Sequence, residues 1–345
     1  MSARRGRDVS MIAARTMQGF TLVELMVALV LGMIVTAAAI AVFLSNKRVY
    51  QTTENLGRVQ ETVRTAYELM ARDMREAAGN ACEAGLPTVN VLNNPAANWW
   101  SNMDGGARGY DGATAMPGLA FGTARGDRVA GTDALELKAA VNDGVTVVSH
   151  NAPAAQFKVN TINHGLATGD IVMVCDFDHA AILQVSNAQN GVNDTIVHNT
   201  GVGVPGNCSK GLGFSAPPNC TVLGTPYTYG PNSIIARVRM ERWYVGNDGN
   251  GGRSLFQSVL VNNAGVLSVQ RQEITDSVRN LRLQYLLSGA TSYVDAGAVA
   301  AADWNSARVL AVRVVLTLEG RNADNGADPV DRTLEHTVTL RNRVP

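Results

Sequence analysis

Hydrophobic and polar positions change period several times along this chain, and each change marks an element. Residues 1–19 are polar and basic. From 20 to 44 there are 25 residues with a single charge, Glu24. At about 1.5 Å per residue, that run covers a bilayer core of roughly 30 Å. Beyond Leu44, apolar positions recur at three- and four-residue steps: Val49, Thr52/Thr53, Leu56, Val59, Val63, Ala66/Tyr67, Met70, Met74 and Ala77. This spacing predicts one apolar stripe on a continuing helix. Arg58, Glu61, Arg64, Glu68, Arg72, Asp73, Arg75 and Glu76 fill the other faces, and Gly79 reads as the C-terminal stop. The predicted helix therefore runs over 20–79, with a membrane half at 20–44 and an amphipathic half at 45–79. Gly32 and Gly57 are its weak points. A free-standing coiled coil is the competing reading of the stripe.

Past the helix the period is lost. Residues 80–132 are rich in Gly, Asn, Pro and Ala and read as a long loop or insert. Trp99 and Trp100 are expected to pin that loop to the domain, with a carbohydrate platform as the alternative. Strand-like runs follow at 133–139, 156–162, 170–175, 181–186, 233–245, 254–261 and 266–273. Tyr244-Val245 and Leu255-Phe256 bracket a Gly/Asn/Asp loop at 246–252, a hairpin signal. Near the end Val312, Val314, Leu316 and Leu318 alternate with Arg313, Val315, Thr317 and Glu319, as on a sheet packed on one face. In the last strand Leu334, Val338 and Leu340 share a side with His336, which reads as a semi-buried histidine rather than a ligand. The fold class is α+β: a long N-terminal helix packed on an antiparallel β-sheet domain with long loops, spanning 80–345.

Composition agrees with that pattern. Only 17% of the 345 residues are charged while 34 are glycine, which favours a loop-rich β domain over a helical one. Of 29 basic and 29 acidic residues, the first nineteen hold Arg4, Arg5, Arg7 and Arg15 against Asp8. The remainder carries 25 basic and 28 acidic residues, a net charge of −3. Such a chain has no global attraction for nucleic acid, and none is expected as a partner.

Glu24 is the first residue that asks for chemistry. An ionised group inside hydrocarbon costs on the order of 2.5–3.5 kcal/mol, so a partner is implied. A glutamate snorkelling to the interface is the bland alternative. For the segment as a whole, the alternatives are a plain signal anchor or a secretory signal cut near Ala37-Ala38-Ala39. The basic leader on one side of the span, with Lys47 and Arg48 on the other, leaves only a modest charge asymmetry.

The junction Gly19-Phe20, the acidic Glu24 and the long apolar run together resemble the processing and assembly signature of type IV prepilins. The resemblance implies cleavage after Gly19 and N-methylation of the new Phe20 amine by a prepilin peptidase/N-methyltransferase. It also implies that Glu24 is kept for assembly, where it meets the N-terminal amine of a neighbouring subunit. Segments 278–285, 293–295, 308–318 and 337–343, with Trp304 between them and Arg341-Asn342-Arg343 near the end, resemble in their order the PilW family of minor pilins. In part they are also similar to the J-type pseudopilins of type II secretion. The middle of the chain, from about Cys82 to Ile234, is unmatched.

Four cysteines, Cys82, Cys175, Cys208 and Cys220, all lie beyond the span, where an oxidising compartment favours disulfides. Four allow three connectivities. Closeness in sequence favours Cys208 with Cys220, leaving Cys82 with Cys175 to tie the helix end to the sheet. No CxxC or HxxxH spacing supports zinc. Histidines 150, 164, 179, 198 and 336 are scattered, and no nucleophile elbow or phosphate-cradling loop is present. No enzyme activity, cofactor or metal is expected. The loop at 246–252 lacks the twelfth-position carboxylate of a calcium-binding EF-hand. Arg237, Arg239 and Arg242 read as a basic row on a solvated strand face, with a DNA contact as the alternative.

What the PilW resemblance implies is a minor pilin, single-pass in the inner membrane with a periplasmic domain. It would then enter a pilus at the cell surface, at or near the tip, serving adhesion and twitching. Its implied partners are other minor pilins, the major pilin and a tip adhesin. A J-type pseudopilin is the first alternative, and a membrane-anchored periplasmic module binding DNA or glycan is the second.

Overall fold

The computed structural model describes residues 19–79, 81–82, 85–103, 105–306, 308–319 and 331–343, apart from the side chains of Thr52, Asn55, Leu56, Arg58, Val59 and Thr62. The leader expected over 1–19, with its arginines, lies outside these residues except for Gly19. One helix, α1, covers Leu22–Glu76. The chain divides into two compact units, the first ending at Gly57 and the second beginning at Arg58.

Within the first unit every helical residue whose side chain is described is exposed, and Leu22–Gln51 is long and apolar enough to cross a membrane. Its polar interior residue Thr36 donates its hydroxyl to the Gly32 carbonyl at 2.7 Å, so that no free hydroxyl faces hydrocarbon.

Within the second unit the stripe is a core element. Val63, Ala66, Met70, Met74 and Ala77 are all buried, as the three- and four-residue spacing predicts. Asp73 departs from that reading. The spacing puts it on the polar face, yet it is buried, because Trp243 Nε1–H and Gln257 Nε2–H both donate to its Oδ2, at 2.9 and 3.0 Å. The helix ends three residues before Gly79. Ala78, not Gly79, takes the left-handed conformation (φ 57°), and its N–H donates to the Lys138 carbonyl at 2.8 Å. Asn342 caps the helix from the far end of the chain, donating Nδ2–H to the carbonyls of Glu76 (3.1 Å) and Ala77 (3.2 Å).

Sixteen strands follow among the described residues. The first nine are short: β1 Thr88–Asn90, β2 Ala107–Tyr110, β3 Ala134–Val141, β4 Val147–Asn151, β5 Gln156–Val159, β6 Ile171–Cys175, β7 Ala180–Gln184, β8 Asn187–Ala188 and β9 Thr195–Val197. Then come the long ones, β10 Ile234–Asn247, β11 Arg253–Asn263, β12 Val266–Thr275 and β13 Val278–Leu287. The set ends with β14 Tyr293–Asp295, β15 Val309–Leu318 and β16 Arg332–Thr339, with the short helix α2 Ala301–Asn305 between β14 and β15.

They form an eight-stranded sheet (β1-β7-β6-β10-β11-β12, with β3 also on β10 and β2 on β3) and two four-stranded sheets, β14-β13-β15-β16 and β4-β5-β9-β8. Every pair is antiparallel except β1 with β7. The α+β class expected from the pattern is the one found. The β10–β11 hairpin is in the expected register, with Tyr244 opposite Phe256 and Val245 opposite Leu255.

Three expectations about this region need correction. The stretch 80–132 is not only loop: it supplies β1 and β2, while Trp99 and Trp100 pin it to the domain as expected, buried beside Met173, Ile182, Val238 and Met240. Strands β4, β8 and β9 show no legible pattern, being only two to five residues long. The run 156–162 is strand only to Val159.

Two main cores result. The first joins the helix stripe to Leu135, Leu137, Trp243, Leu281, Leu283, Val312, Val314 and Leu316. The second joins Phe157, Val159, Leu166, Val172, Leu183, Ile196, Tyr229 and Ile235, between the β4-β5-β9-β8 sheet and strands β6 and β7. Burying one such large side chain contributes about 1.5–3 kcal/mol.

Candidate functional site

The helix start carries the candidate assembly site. Thr21 stands just before the first helical residue, and Glu24 is three positions on. The Glu24 N–H donates to Thr21 Oγ1 (3.3 Å), the Thr21 N–H donates to Glu24 Oε2 (3.1 Å), and the Thr21 hydroxyl donates to the same oxygen (3.0 Å). This reciprocal arrangement is a capping box, and it satisfies two helix donors that have no partner inside the helix. Negative charge at a helix start also interacts favourably with the macrodipole. The carboxylate is thus held by its own chain. Gly19 and Phe20 precede the box, both exposed, and a side chain added at Gly19 would meet nothing within 4 Å. An open, glycine-containing segment before the helix is what a peptidase needs to draw backbone into its own site. Thr21 was not singled out from the sequence, although T-x-x-E before an apolar run is a legible capping signal.

The four cysteines form two disulfides, Cys82–Cys175 and Cys208–Cys220, closing loops of 93 and 12 residues. Cys175 is the last residue of β6, so the first bridge fastens the segment after α1 to the large sheet. The second closes a loop that is also pinned by Lys210 N–H donating to the Val222 carbonyl at 2.9 Å.

The other residues examined for chemistry turn out to be structural. Arg237, Arg239 and Arg242 do not form one row. Strand alternation puts the first two on one face of β10 and Arg242 on the other, with Val238 and Met240. Arg242 is almost fully buried, bonded to Glu136 Oε2 through Nη2 (2.6 Å) and Nε (2.9 Å), with its guanidinium 3.9 Å from the Trp99 ring centre. It is not on a solvated face. Arg239, half-buried, bonds Glu76 at 2.9 Å and contacts Glu241. Asp73 lies beside Glu241. Burial, with that second carboxyl, pushes the Asp73 pKa up to about 8.

Asp248 in the loop at 246–252 accepts from the N–H groups of Asn250 (2.6 Å) and Gly252 (3.0 Å), so its carboxylate shapes the turn. His336 is exposed, not semi-buried: β16 is an edge strand, and the ring stacks on Tyr67 with centres 4.2 Å apart. Among the described residues, no three His, Cys, Asp or Glu side chains are grouped as metal ligands would be.

One cluster escaped the sequence reading altogether. His150 on β4 and His198 after β9 meet in the second core, Nε2 to Nε2 at 3.2 Å, against the Phe157 ring. Burial lowers the His150 pKa to about 4 and the His198 pKa to about 3, the latter with a further contribution from His150. The two lie 48 positions apart on segments without pattern, so no local signal could have paired them.

Residues 15–40 match the prokaryotic N-terminal methylation motif as a family. Comparison with curated proteins and with solved structures gave no match. The motif, the apolar helix and the globular β domain that follows support a protein of the type IV pilin or pseudopilin kind. Such a protein is processed by a prepilin peptidase and anchored in a membrane through its N-terminal helix.

Proposed function

We propose that this chain is a minor pilin of the PilW type. It is cut after Gly19, methylated on the Phe20 amine, held in the inner membrane with its β domain in the periplasm, and then built into a type IV pilus at or near the tip. Its partners in this reading are other minor pilins, the major pilin and a tip adhesin, and its work is assembly rather than catalysis. The methylation motif over 15–40 is the observation that carries the proposal. The order of the C-terminal segments supports the PilW assignment, and Arg341-Asn342-Arg343 supports a pilus over a secretion pseudopilus.

The mechanism follows from the helix start. In the lone subunit the Glu24 carboxylate is satisfied by Thr21, which offsets part of its cost in hydrocarbon. Cleavage creates an ammonium at Phe20, and in a filament a neighbour's ammonium can approach Glu24. Two buried groups of opposite charge each offset the other's desolvation, so the neighbour's amine replaces a neutral hydroxyl with a charged donor.

Mass spectrometry of sheared surface filaments and of the cell envelope tests this reading. A peptide beginning with N-methylated Phe20 in filaments is the expected result. The same peptide confined to the envelope, with protein export lost on deletion, would replace the pilus by a J-type pseudopilus. An uncut leader, or a start near Ile40, would overturn the processing reading. Glu24→Ala should reduce incorporation and leave cleavage intact.

A further inference from the structure

We propose that the His150–His198 pair is an acid-sensitive latch on the second core. Entry of a proton into the pair releases the β4-β5-β9-β8 sheet while the helix-backed core stays closed.

The hydrogen-bond geometry carries the argument. The Tyr229 N–H donates to His150 Nδ1 at 3.1 Å, so that nitrogen holds a lone pair and the His150 proton sits on Nε2. His150 Nε2–H then donates to His198 Nε2 at 3.2 Å, which places the His198 proton on Nδ1. Both rings are neutral, and both of their lone pairs are in use. A proton added to His150 would set two N–H groups against each other at Tyr229. A proton added to His198 would do the same across the imidazole pair. Either one breaks a buried bond, and the two rings cannot both be charged at 3.2 Å.

Among the described residues no carboxylate is paired with either imidazole, although the backbone carbonyl of His198 favours that ring's charged form. Phe157 stacks on His150 with centres 4.2 Å apart and lies 4.9 Å from His198, and Tyr229 lies 6.0 Å from His150. Lys210 faces His198 and opposes a second positive charge. Asp176 and Asp178 face the Tyr227 and Tyr229 side of the cluster, where Asp176 accepts from the Tyr227 hydroxyl (2.6 Å) and Asp178 is paired with His179 (2.9 Å). His179 is itself committed through Nε2 to the Leu212 carbonyl at 2.8 Å.

Release would be local. β6 and β7 lie in the same stretch of chain, but they pair with β10 and with each other and not with β4, β5, β8 or β9, so the large sheet keeps its pairing when this layer opens. His336, which stacks on Tyr67 beside the first core, is exposed to solvent rather than buried. If the β domain faces the periplasm, as in the function proposed above, its second core meets the pH of the surroundings.

Hydrogen exchange of the full chain in detergent, read by mass spectrometry from pH 7 to 4 and corrected for the intrinsic rate at each pH, tests the latch. In the opened layer each histidine titrates near 6.5, so opening should become up to about a hundredfold easier per pH unit below 6, one decade per proton taken up. The expected result is that peptides within 147–159 and 187–198 lose protection above pH 4, while those within 63–77 and 309–318 keep it. A layer that stays protected until the whole domain unfolds would overturn the proposal. So would an onset confined to pH below 4, where carboxylates titrate. His198→Gln, which keeps a neutral donor and acceptor but cannot take the proton, should leave only His150 to titrate and cut the pH dependence to at most about tenfold per pH unit. Should that variant fail to fold, the wild-type onset and steepness decide alone.

Discussion

The two cores of the β domain bury opposite kinds of acid–base group. The helix-backed core encloses Asp73 beside Glu241, and the second core encloses His150 against His198. In both, burial favours the neutral form, but neutrality means a bound proton for the carboxyl and a missing one for the imidazole. The Asp73 pKa is raised to about 8 from an ordinary 3.8. Between those values the folded protein holds a proton that the unfolded chain has released, so the first core loses stability as pH rises through that window. For the histidines the folded values, about 4 and about 3, lie below an ordinary 6.5. Their contribution is full above 6.5 and is lost as pH falls toward the folded values. One domain thus has an alkaline-sensitive half and an acid-sensitive half.

That contrast is only meaningful if the halves can fail separately, and the disulfides set the scale. Removing Cys82–Cys175 as the paired serine variant should cost roughly 4–5 kcal/mol on the chain-entropy account of a 93-residue loop. Removing Cys208–Cys220 should cost nearer 3 kcal/mol for its 12-residue loop. Urea unfolding of the two variants measures both. Equal losses would show that native packing, rather than loop length, governs them.

Phe157→Ala sharpens the comparison further. The ring is buried under both imidazoles, and its loss should cost about 3–5 kcal/mol. If the cores are separable, exchange protection should fall within 145–200 and hold in the helix over 63–77. A uniform fall would make them one cooperative unit.

Asp73→Asn probes the other half. An asparagine keeps an oxygen for Trp243 Nε1–H and Gln257 Nε2–H but cannot ionise. Wild-type stability should fall toward pH 8, by no more than about 1.4 kcal/mol per pH unit for one proton, and the variant should be flat over the same range. Thermal unfolding at pH 6, 7 and 8 reads the slope.

The same comparison separates what the sequence makes legible from what it hides. Glu24 and the stripe from Val63 to Ala77 follow from neighbours within four residues. The β10–β11 hairpin follows from a seven-residue loop, and the inward set Val312, Val314, Leu316 and Leu318 from strict alternation. All are local signals. The burial of Asp73 depends on Trp243, 170 positions away, and Arg242 on Glu136, 106 positions away. A charged residue looks solvated until its distant partner is known. His150 sits on a strand, and His198 just after one, too short to announce themselves, and the pair exists only because β5 stands between β4 and β9. Thr21 is the reverse case: its T-x-x-E capping signal is wholly local, beside the carboxylate it caps.

The smallest effect tests how the long helix is closed. Three features meet at its end: the left-handed Ala78, the tight packing of Gly79, and the amide of Asn342. A side chain on Gly79 would come within 2.9 Å of the Glu76 carbonyl and 3.0 Å of Asn342 Nδ2, so that site admits only glycine without a shift. Asn342→Ala removes one donor shared between the Glu76 and Ala77 carbonyls and leaves the backbone alone. A lost hydrogen bond of this kind costs about 0.5–1.5 kcal/mol. Water can reach partly exposed carbonyls at a helix end, which argues for the lower part of that range. The loss should appear as fraying at Arg75 and Glu76 in hydrogen exchange, with the second core untouched. Were the acid-sensitive layer to loosen as well, the C-terminal cap would be coupling the two cores, and the division between them would have to be redrawn.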